Sequence, residues 1–325
     1  MMANVSVIIS AHDRKKYVMN AIKSVLDQSV GRDKIEIILV KNFSDVALDN
    51  FCEKNKIKNV LFFGPTLGEK MARGIMESSS EIICFLDDDD MFEPNKVENV
   101  LKAFNEDDIV YYHNGVRIID EDGRIVEKNY TGRMRVNVRL NDARSIKMAR
   151  KLNGDWYMSC ISVRRDFAVS MIDTLKSLPA SFDKLMYYSA LASKGVLIVD
   201  NAPLTRYRLH SSLTTVIGDQ DHFLKRKLIF FNKSADTAKY LLNKYGDPKT
   251  SSPYRLFYLH ELMMLSALGS VNKLSYRETL NALQDIFHYG NRADLIWLIL
   301  SLFSKVSGKM TSTIVYRYMM NYFLL

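Results

Sequence analysis

The sequence predicts an α/β protein with a mostly parallel central sheet covered by helices on both faces, followed by an all-helical C-terminal region. Three observations carry that expectation. Short apolar runs rich in β-branched residues recur at residues 5–10 (VSVIIS), 35–40 (IEIILV) and 82–86 (IICFL), a length that suits buried strands. Between them lie stretches at helical spacing, such as Val18, Ala21, Ile22, Val25 and Leu26. After about residue 216 the strand pattern stops and only helical periodicity continues.

The elements follow in order. The first strand leads through the turn AHDRKKYV into the helix just named, which Gln28-Ser29-Val30-Gly31 ends. After the second strand come a helix around 51–55, a short strand at 60–63, a Gly64-Pro65 turn and a helix over 67–78 despite Gly68 and Gly74. Strands alternating with helices over the first 100 residues call for right-handed crossovers and a sheet covered on both sides. Residues 109–112 are another strand, followed by His113-Asn114 and VRIID; Asp120-Glu121-Asp122-Gly123 reads as a hairpin turn with 124–126 returning. Residues 130–150, rich in Arg and Asn with little period, read as a mobile connection. Strand is expected at 155–163, 196–199 and 204–209, and helix at 166–178 and 182–194. The C-terminal helices are expected at 256–268, 280–287, 295–303 and 314–325.

A length of 325 residues suits one large domain with an appendage, or two domains. The expected division is 1–215, with halves at about 1–120 and 121–215, and then 216–325. Cys52, Cys84 and Cys160 are too far apart for a metal knuckle or redox pair and read as buried small hydrophobes in a reducing compartment. The start lacks a basic segment before its apolar run, so it reads as a strand and not as a signal peptide. No stretch reaches the roughly 18 apolar residues of a spanning helix, and the location expected is the cytoplasm, either free or at the inner face of the membrane. The formal charge of +8 is uneven: residues 216–325 hold 14 Lys+Arg against 8 Asp+Glu (+6), and the preceding 215 hold 31 against 29 (+2). Such basicity suits an anionic membrane surface, an acidic partner or plain solubility. No nucleic-acid motif or long basic stripe occurs, so nucleic acid is not an expected partner.

The chemistry is concentrated in residues 81–94, EIICFLDDDDMFEP. A strand that delivers Asp87, Asp88, Asp89 and Asp90 at its C-terminal end places them where open α/β sheets bind ligands. Adjacent carboxylates repel, and hard oxygen ligands favour Mg²⁺ or Mn²⁺ shared with substrate phosphates. The plain alternative is a solvated acidic turn capping the next helix.

The order of these pieces resembles the family 2 glycosyltransferases over residues 4–215. The resemblance rests on Ser10-Ala11-His12-Asp13-Arg14 after the first strand, the amphipathic helix ending in Gln28-Ser29, Leu86 to Asp90 with Pro94, the acidic Asp183 ahead of a helix, and Tyr207-Arg208-Leu209-His210. It implies a GT-A (Rossmann-like) catalytic domain and an inverting transfer from a nucleotide-sugar donor to a hydroxyl of a saccharide or lipid-linked saccharide. It further implies Mn²⁺ or Mg²⁺ held by Asp87, Asp89 and His210. Asp183 is implied as the general base, and Ser10, His12, Asp13, Arg14, Lys41, Asn42, Lys70, Asp87 and Asp88 as donor contacts. The sequence departs from the family pattern at Lys41, where a base-contacting Asp is usual, and at Ser10, where Pro is usual; the first departure leaves the nucleotide open.

Each assignment has a plain counterpart. Asp183 also fits a helix N-cap, and His210 a satisfied loop histidine. Trp156 and Tyr157 suit either an acceptor sugar or a core, and Arg206 and Arg208 either a phosphate or a solvated edge. The segment 295–303, LIWLILSLF, is either core, an oligomer interface or a foot on a membrane surface. Two rival functions remain at this level: an aspartyl phosphotransferase using Asp87, and a degenerate module that binds a glycan or scaffolds a membrane complex.

Overall fold

The computed structural model describes residues 4–13, 15–105, 108–126, 133–178, 181–209, 220–270 and 274–324, with side chains described as far as Met319. Met1–Arg139 and Leu152–Arg208 form one compact unit, and Leu140–Lys151 and Leu209–Leu325 form another. In chain order the first unit contains β1 (Val5–Ala11), α1 (Val18–Leu26), β2 (Ile35–Lys41), α2 (Val46–Lys54), β3 (Lys58–Leu61), α3 (Leu67–Glu77), β4 (Ile82–Asp87), β5 (Met91–Phe92), α4 (Lys96–Ala103), β6 (Ile109–Ile119) and β7 (Arg135–Val138). The chain then supplies α5 (Ala143–Lys151) to the second unit. It returns to the first with β8 (Ile161–Arg164), α6 (Arg165–Ser170), α7 (Ile172–Ser177), α8 (Phe182–Ala192) and β9 (Val196–Arg208).

Nine strands form one sheet in the order β3-β2-β1-β4-β8-β6-β9-β5, with β7 added on β9. The pairs β1–β2, β1–β4, β2–β3 and β6–β9 are parallel; β8, β5 and β7 run antiparallel to their neighbours. Burial explains the continuous apolar runs: every residue of β1 is buried, as a strand covered on both faces requires. Val18, Ala21, Ile22 and Val25 of α1 pack against Val5, Val7 and Ile9 in one core that reaches β4 and α4. The chain leaves β1 toward β2 on one side and comes back to β4 on the other. The C-terminal ends of β1 and β4 therefore flank a topological switch point, where a crevice opens.

Several expected boundaries move for physical reasons. Residues 109–119 are one strand because His113 and Asn114 are buried within it, and residues 196–208 are likewise continuous through Pro203. Only Ile161–Arg164 of the segment 155–163 is strand, since Tyr157 adopts φ 61° and a 3-10 turn follows at Met158–Cys160. The helix expected over 166–178 is two short helices, α6 and α7. The expected mobile connection at 130–150 contains β7 and α5; α5 buries Ile146, Ala149 and Arg150. Residues 130–132 of that stretch lie outside those described.

The second unit continues with α9 (Gln220–Tyr245), α10 (Pro253–Ala267), α11 (Tyr276–Tyr289), α12 (Arg292–Phe303) and α13 (Gly308–Leu324). Its core joins Phe231 of α9, Met263 and Leu265 of α10, Ala282 of α11, Trp297 and Leu298 of α12, and Val315 of α13. Two buried ion pairs lie in this unit: Arg150 with Asp294, and Arg255 with Asp285. No helix among the described residues is long and apolar enough to cross a membrane.

The two glycines of α3 are sites of close approach. A Cβ on Gly68 would lie 2.1 Å from the Leu175 carbonyl oxygen, and one on Gly74 would lie 2.4 Å from Ile8 Cγ2. Gly68→Ala gains about 1 kcal/mol of helix propensity but meets rigid backbone, where overpacking costs about 1–3 kcal/mol. Urea denaturation is expected to show net destabilisation. Gly308→Ala, with nothing within 4 Å of the new methyl group, should be neutral or stabilising. Equal effects at the two positions would refute the close-packing account of Gly68.

Candidate active site

The acidic run leaves β4 and turns at once. Asp87 is the last residue of the strand and pairs in register with Ser10 of β1. The Asp90 N–H then donates to the Asp87 carbonyl at 3.3 Å, closing the turn before β5. Oxygens of Asp87, Asp89 and Asp90 all lie within 4.8 Å of one another, the one arrangement among the described residues with three such metal-ligating side chains. Asp87 and Asp89 are half-buried, and Asp90 is buried. Burial, and then the neighbouring Asp89 charge, push the Asp90 carboxyl up to about 7. Three carboxylates held this close, one of them made reluctant to ionise, are a donor set that a hard divalent cation fits.

Backbone pins from three directions hold the turn. The Asp87 N–H donates to Ser159 Oγ at 3.0 Å. From β9, the Arg208 N–H donates to Asp90 Oδ1 at 3.0 Å and its Nε to the Asp89 carbonyl at 2.8 Å. From α1, Ser24 Oγ accepts from the Phe92 N–H at 3.0 Å, and Gln28 both donates to the Glu93 carbonyl at 2.8 Å and accepts from the Val97 N–H at 2.9 Å. Beneath lies Lys96, fully buried, donating to the Ser159 carbonyl at 2.6 Å and to Thr205 Oγ1 at 3.1 Å. Burial lowers its ammonium to about 8.

The other sequence-identified residues gather along the same crevice. Asp88 is buried and accepts from the His12 N–H at 3.3 Å, which joins the acidic turn to the turn after β1. Lys70 Nζ of α3 contacts His12 Nδ1, and its pKa is lowered by burial against the opposing charges of Asp13 and Asp88. Asp13, at φ 56°, exchanges two 2.9 Å hydrogen bonds with the Asn42 side chain. Lys41 is different: its ammonium is buried, ion-paired with Asp49 at 2.9 Å and bonded to the Phe43 carbonyl at 2.7 Å, all within the β2–α2 corner. Ser10 is buried at the end of β1. Arg14 and His210 lie outside the described residues.

Asp183 occupies the first turn of α8, where Ser181 and not Asp183 holds the N-cap position. The preceding Phe182 packs edge-on against Phe85 of β4 at 4.9 Å, which sets this turn against the strand that carries the acidic run. Burial pushes the Asp183 carboxyl up to about 6, with the Asp155 charge adding to the rise. Arg206 is ion-paired with Glu93 at 2.8 Å.

Sequence reasoning left Asp90, Ser159 and Arg208 without these roles. Asp90 lay in plain sight as the fourth carboxylate. Ser159 carries no local signal, and Arg208 stood out only within Tyr207-Arg208-Leu209-His210, with no sign that it would hold the acidic turn.

Comparisons with known proteins agree with this architecture. Residues 6–167 match the family model described as Glycosyl transferase family 2. An uncharacterized glycosyltransferase of Rickettsia bellii (strain RML369-C) is 36% identical over 141 residues, which is 42% of this chain and 20% of the relative. The minor teichoic acid biosynthesis protein GgaA of Bacillus subtilis (strain 168) is 30% identical over 156 residues, 43% of this chain and 34% of that protein. The chain thus spans about a fifth to a third of the length of these relatives. Among solved structures, S. aureus TarS 1-349 in complex with UDP-GlcNAc superposes with a TM-score of 0.56 at 12% identity, covering 98% of this chain and 92% of that one. The mannosyltransferase PcManGT from Pyrobaculum calidifontis, in complex with GDP-Man and Mn²⁺, gives 0.55 at 10% identity, covering 97% and 87%. At such identities the likeness shows the fold.

The raised Asp90 carboxyl has a consequence for stability. Its folded pKa of about 7 exceeds the model-peptide value of 3.8, so the fold favours the protonated form. That stabilisation is complete below the unfolded value and is lost as pH rises through the folded one. In chelator, the urea midpoint should fall from about pH 4 to about pH 7, and Asp90→Asn should reduce the slope. An unchanged slope in Asp90→Asn would show that the carboxyl titrates normally.

Proposed function

The chain belongs to glycosyl transferase family 2 and has the GT-A fold, and from that premise we propose that it is a metal-dependent inverting glycosyltransferase. Its substrates in this reading are a nucleotide-sugar donor and a hydroxyl of a saccharide or lipid-linked saccharide. The observation that carries the reading is the cluster of Asp87, Asp89 and Asp90 oxygens within 4.8 Å at the switch point between β1 and β4. These three carboxylates are the residues that would hold Mn²⁺ or Mg²⁺. Such an ion supplies Lewis-acid neutralisation of the charge that develops on a departing nucleoside diphosphate.

The remaining roles belong to the chain. Lys70 and His12, in contact at the mouth of the crevice, suit the donor's phosphates. The reciprocal Asp13–Asn42 pair offers a rigid polar edge to the nucleoside. Lys41, engaged with Asp49 and Phe43, is not assigned a donor contact in this reading, and that leaves the choice of base to Asn42 and its surroundings. Asp183 is the general base: with its carboxyl near 6 it is ionised at neutral pH yet basic enough to take a proton from an attacking hydroxyl. Attack from the face opposite the leaving diphosphate inverts the anomeric centre.

The test is release of nucleoside diphosphate from UDP-, GDP- and dTDP-sugars with and without Mn²⁺. Metal-dependent release, abolished in Asp89→Ala, is expected. Asp183→Asn should lower turnover by about 10²–10⁴-fold while a thermal shift with donor persists. The wild-type rate should climb with pH through about 6, as Asp183 loses its proton, and level off above. Covalent phosphate on Asp87 would establish a phosphotransferase instead. Silence with every donor would favour a binding module.

A further inference from the structure

Among the described residues, 23 large apolar side chains are exposed, and 12 of them fall between Tyr276 and Tyr318. They are ordered. On α11 they are Tyr276, Leu280, Leu283 and Phe287; on α12 Leu295, Ile299 and Leu302 lead the stripe; on α13 they are Met310, Ile314 and Tyr318. Spacings of three and four residues put each set on one helix face. The opposite faces of α11 and α12, carrying Ala282, Trp297 and Leu298, are already buried in the core built on α10. The stripes therefore face outward.

Charge identifies the occupant. Over residues 274–319 the chain carries Arg277, Arg292, Lys305, Lys309 and Arg317, all exposed, against Glu278, Asp285 and Asp294. Asp285 and Asp294 are buried and neutralised by Arg255 and Arg150, which come from outside this stretch. The outer side thus presents five cations and one accessible carboxylate beside its apolar stripes. A second copy of the chain is a poor fit, because a two-fold interface would set this cationic patch against itself. A surface with an apolar interior and an anionic face satisfies both features.

We propose that the outer faces of α11, α12 and α13 form a docking surface for an anionic lipid bilayer, with the apolar stripes at the level of the headgroups and acyl chains and the Lys and Arg side chains on lipid phosphates. The surface is built from the unit that does not contain the acidic turn, so the proposal stands whether or not the chain transfers sugar.

Flotation of the full chain tests it, with vesicles of phosphatidylcholine alone and of phosphatidylcholine with phosphatidylglycerol. Binding to the mixed vesicles, weakened by high salt, is expected. Leu295→Gln with Ile299→Gln, both at exposed positions, should abolish it without changing the thermal melt. Lys309→Gln with Arg317→Gln should weaken it roughly 30-fold, since each basic side chain near an anionic surface contributes about a factor of five. Absence of flotation, or equal and salt-insensitive flotation on both vesicles, overturns the proposal. So does a dimer in sedimentation that the apolar substitutions dissociate while the wild type ignores vesicles.

Discussion

Holding carboxylates against their own repulsion is the constraint around which this fold is arranged. Two unit charges 4 Å apart cost about 4 kcal/mol at an effective dielectric of 20, whereas a single hydrogen bond contributes about 1 kcal/mol net. One cap could not keep the turn at Asp87–Asp90 closed. The protein uses pins from three elements: Ser24 and Gln28 of α1, Ser159 in the 3-10 turn before β8, and Arg208 at the end of β9. Arg208 adds two bonds to the Asp120 and Glu121 carbonyls, so the acidic turn and the 120–123 turn are fixed by one guanidinium. Lys96, buried below, supplies a positive charge on the protein side while the open side stays free for a ligand.

The sheet order explains why these parts meet. Because β4 lies beside β1, the turns after the two strands touch, and the His12 N–H reaches Asp88. Pairing of β1 with β2 brings Asn42, just past β2, to Asp13, and α3 brings Lys70 to His12. In the proposed reading the phosphate contacts, metal ligands and base each come from a different strand end or helix start. The family model spans residues 6–167, the segment that contains most of these parts.

The helical unit solves a different problem. Three of its acids, Glu261, Asp285 and Asp294, are buried. Asp294 is held well below the usual carboxylate range by Arg150 and His260, and Asp285 is bonded twice by Arg255, at 2.7 and 2.9 Å. Buried pairs of this kind are costly to break, since the survivor is left as an uncompensated charge. With Asp285 and Asp294 drawn inward, the accessible charge of α11 to α13 is mainly basic.

The strand and helix types of the first hundred residues and the acidic run were legible in the chain, because periodicity and adjacent carboxylates are local properties; Asp183, His12 and Asp13 stood out only through the family resemblance. The Gly68 and Gly74 positions were visible only as oddities; the Leu175 carbonyl and Ile8 that explain them come from elsewhere in the fold. Continuity of β6 and β9 was hidden because buried His113 and Asn114 and half-buried Pro203 read locally as interruptions. The Lys41 ion pair with Asp49 and its bond to the Phe43 carbonyl gave no signal in the chain. The third carboxylate of the cluster, and the Ser159 and Arg208 bonds that shape it, depend on contacts spanning 72 to 119 positions. Local propensity carries no information over such separations; burial and sheet pairing had to bring those residues together first.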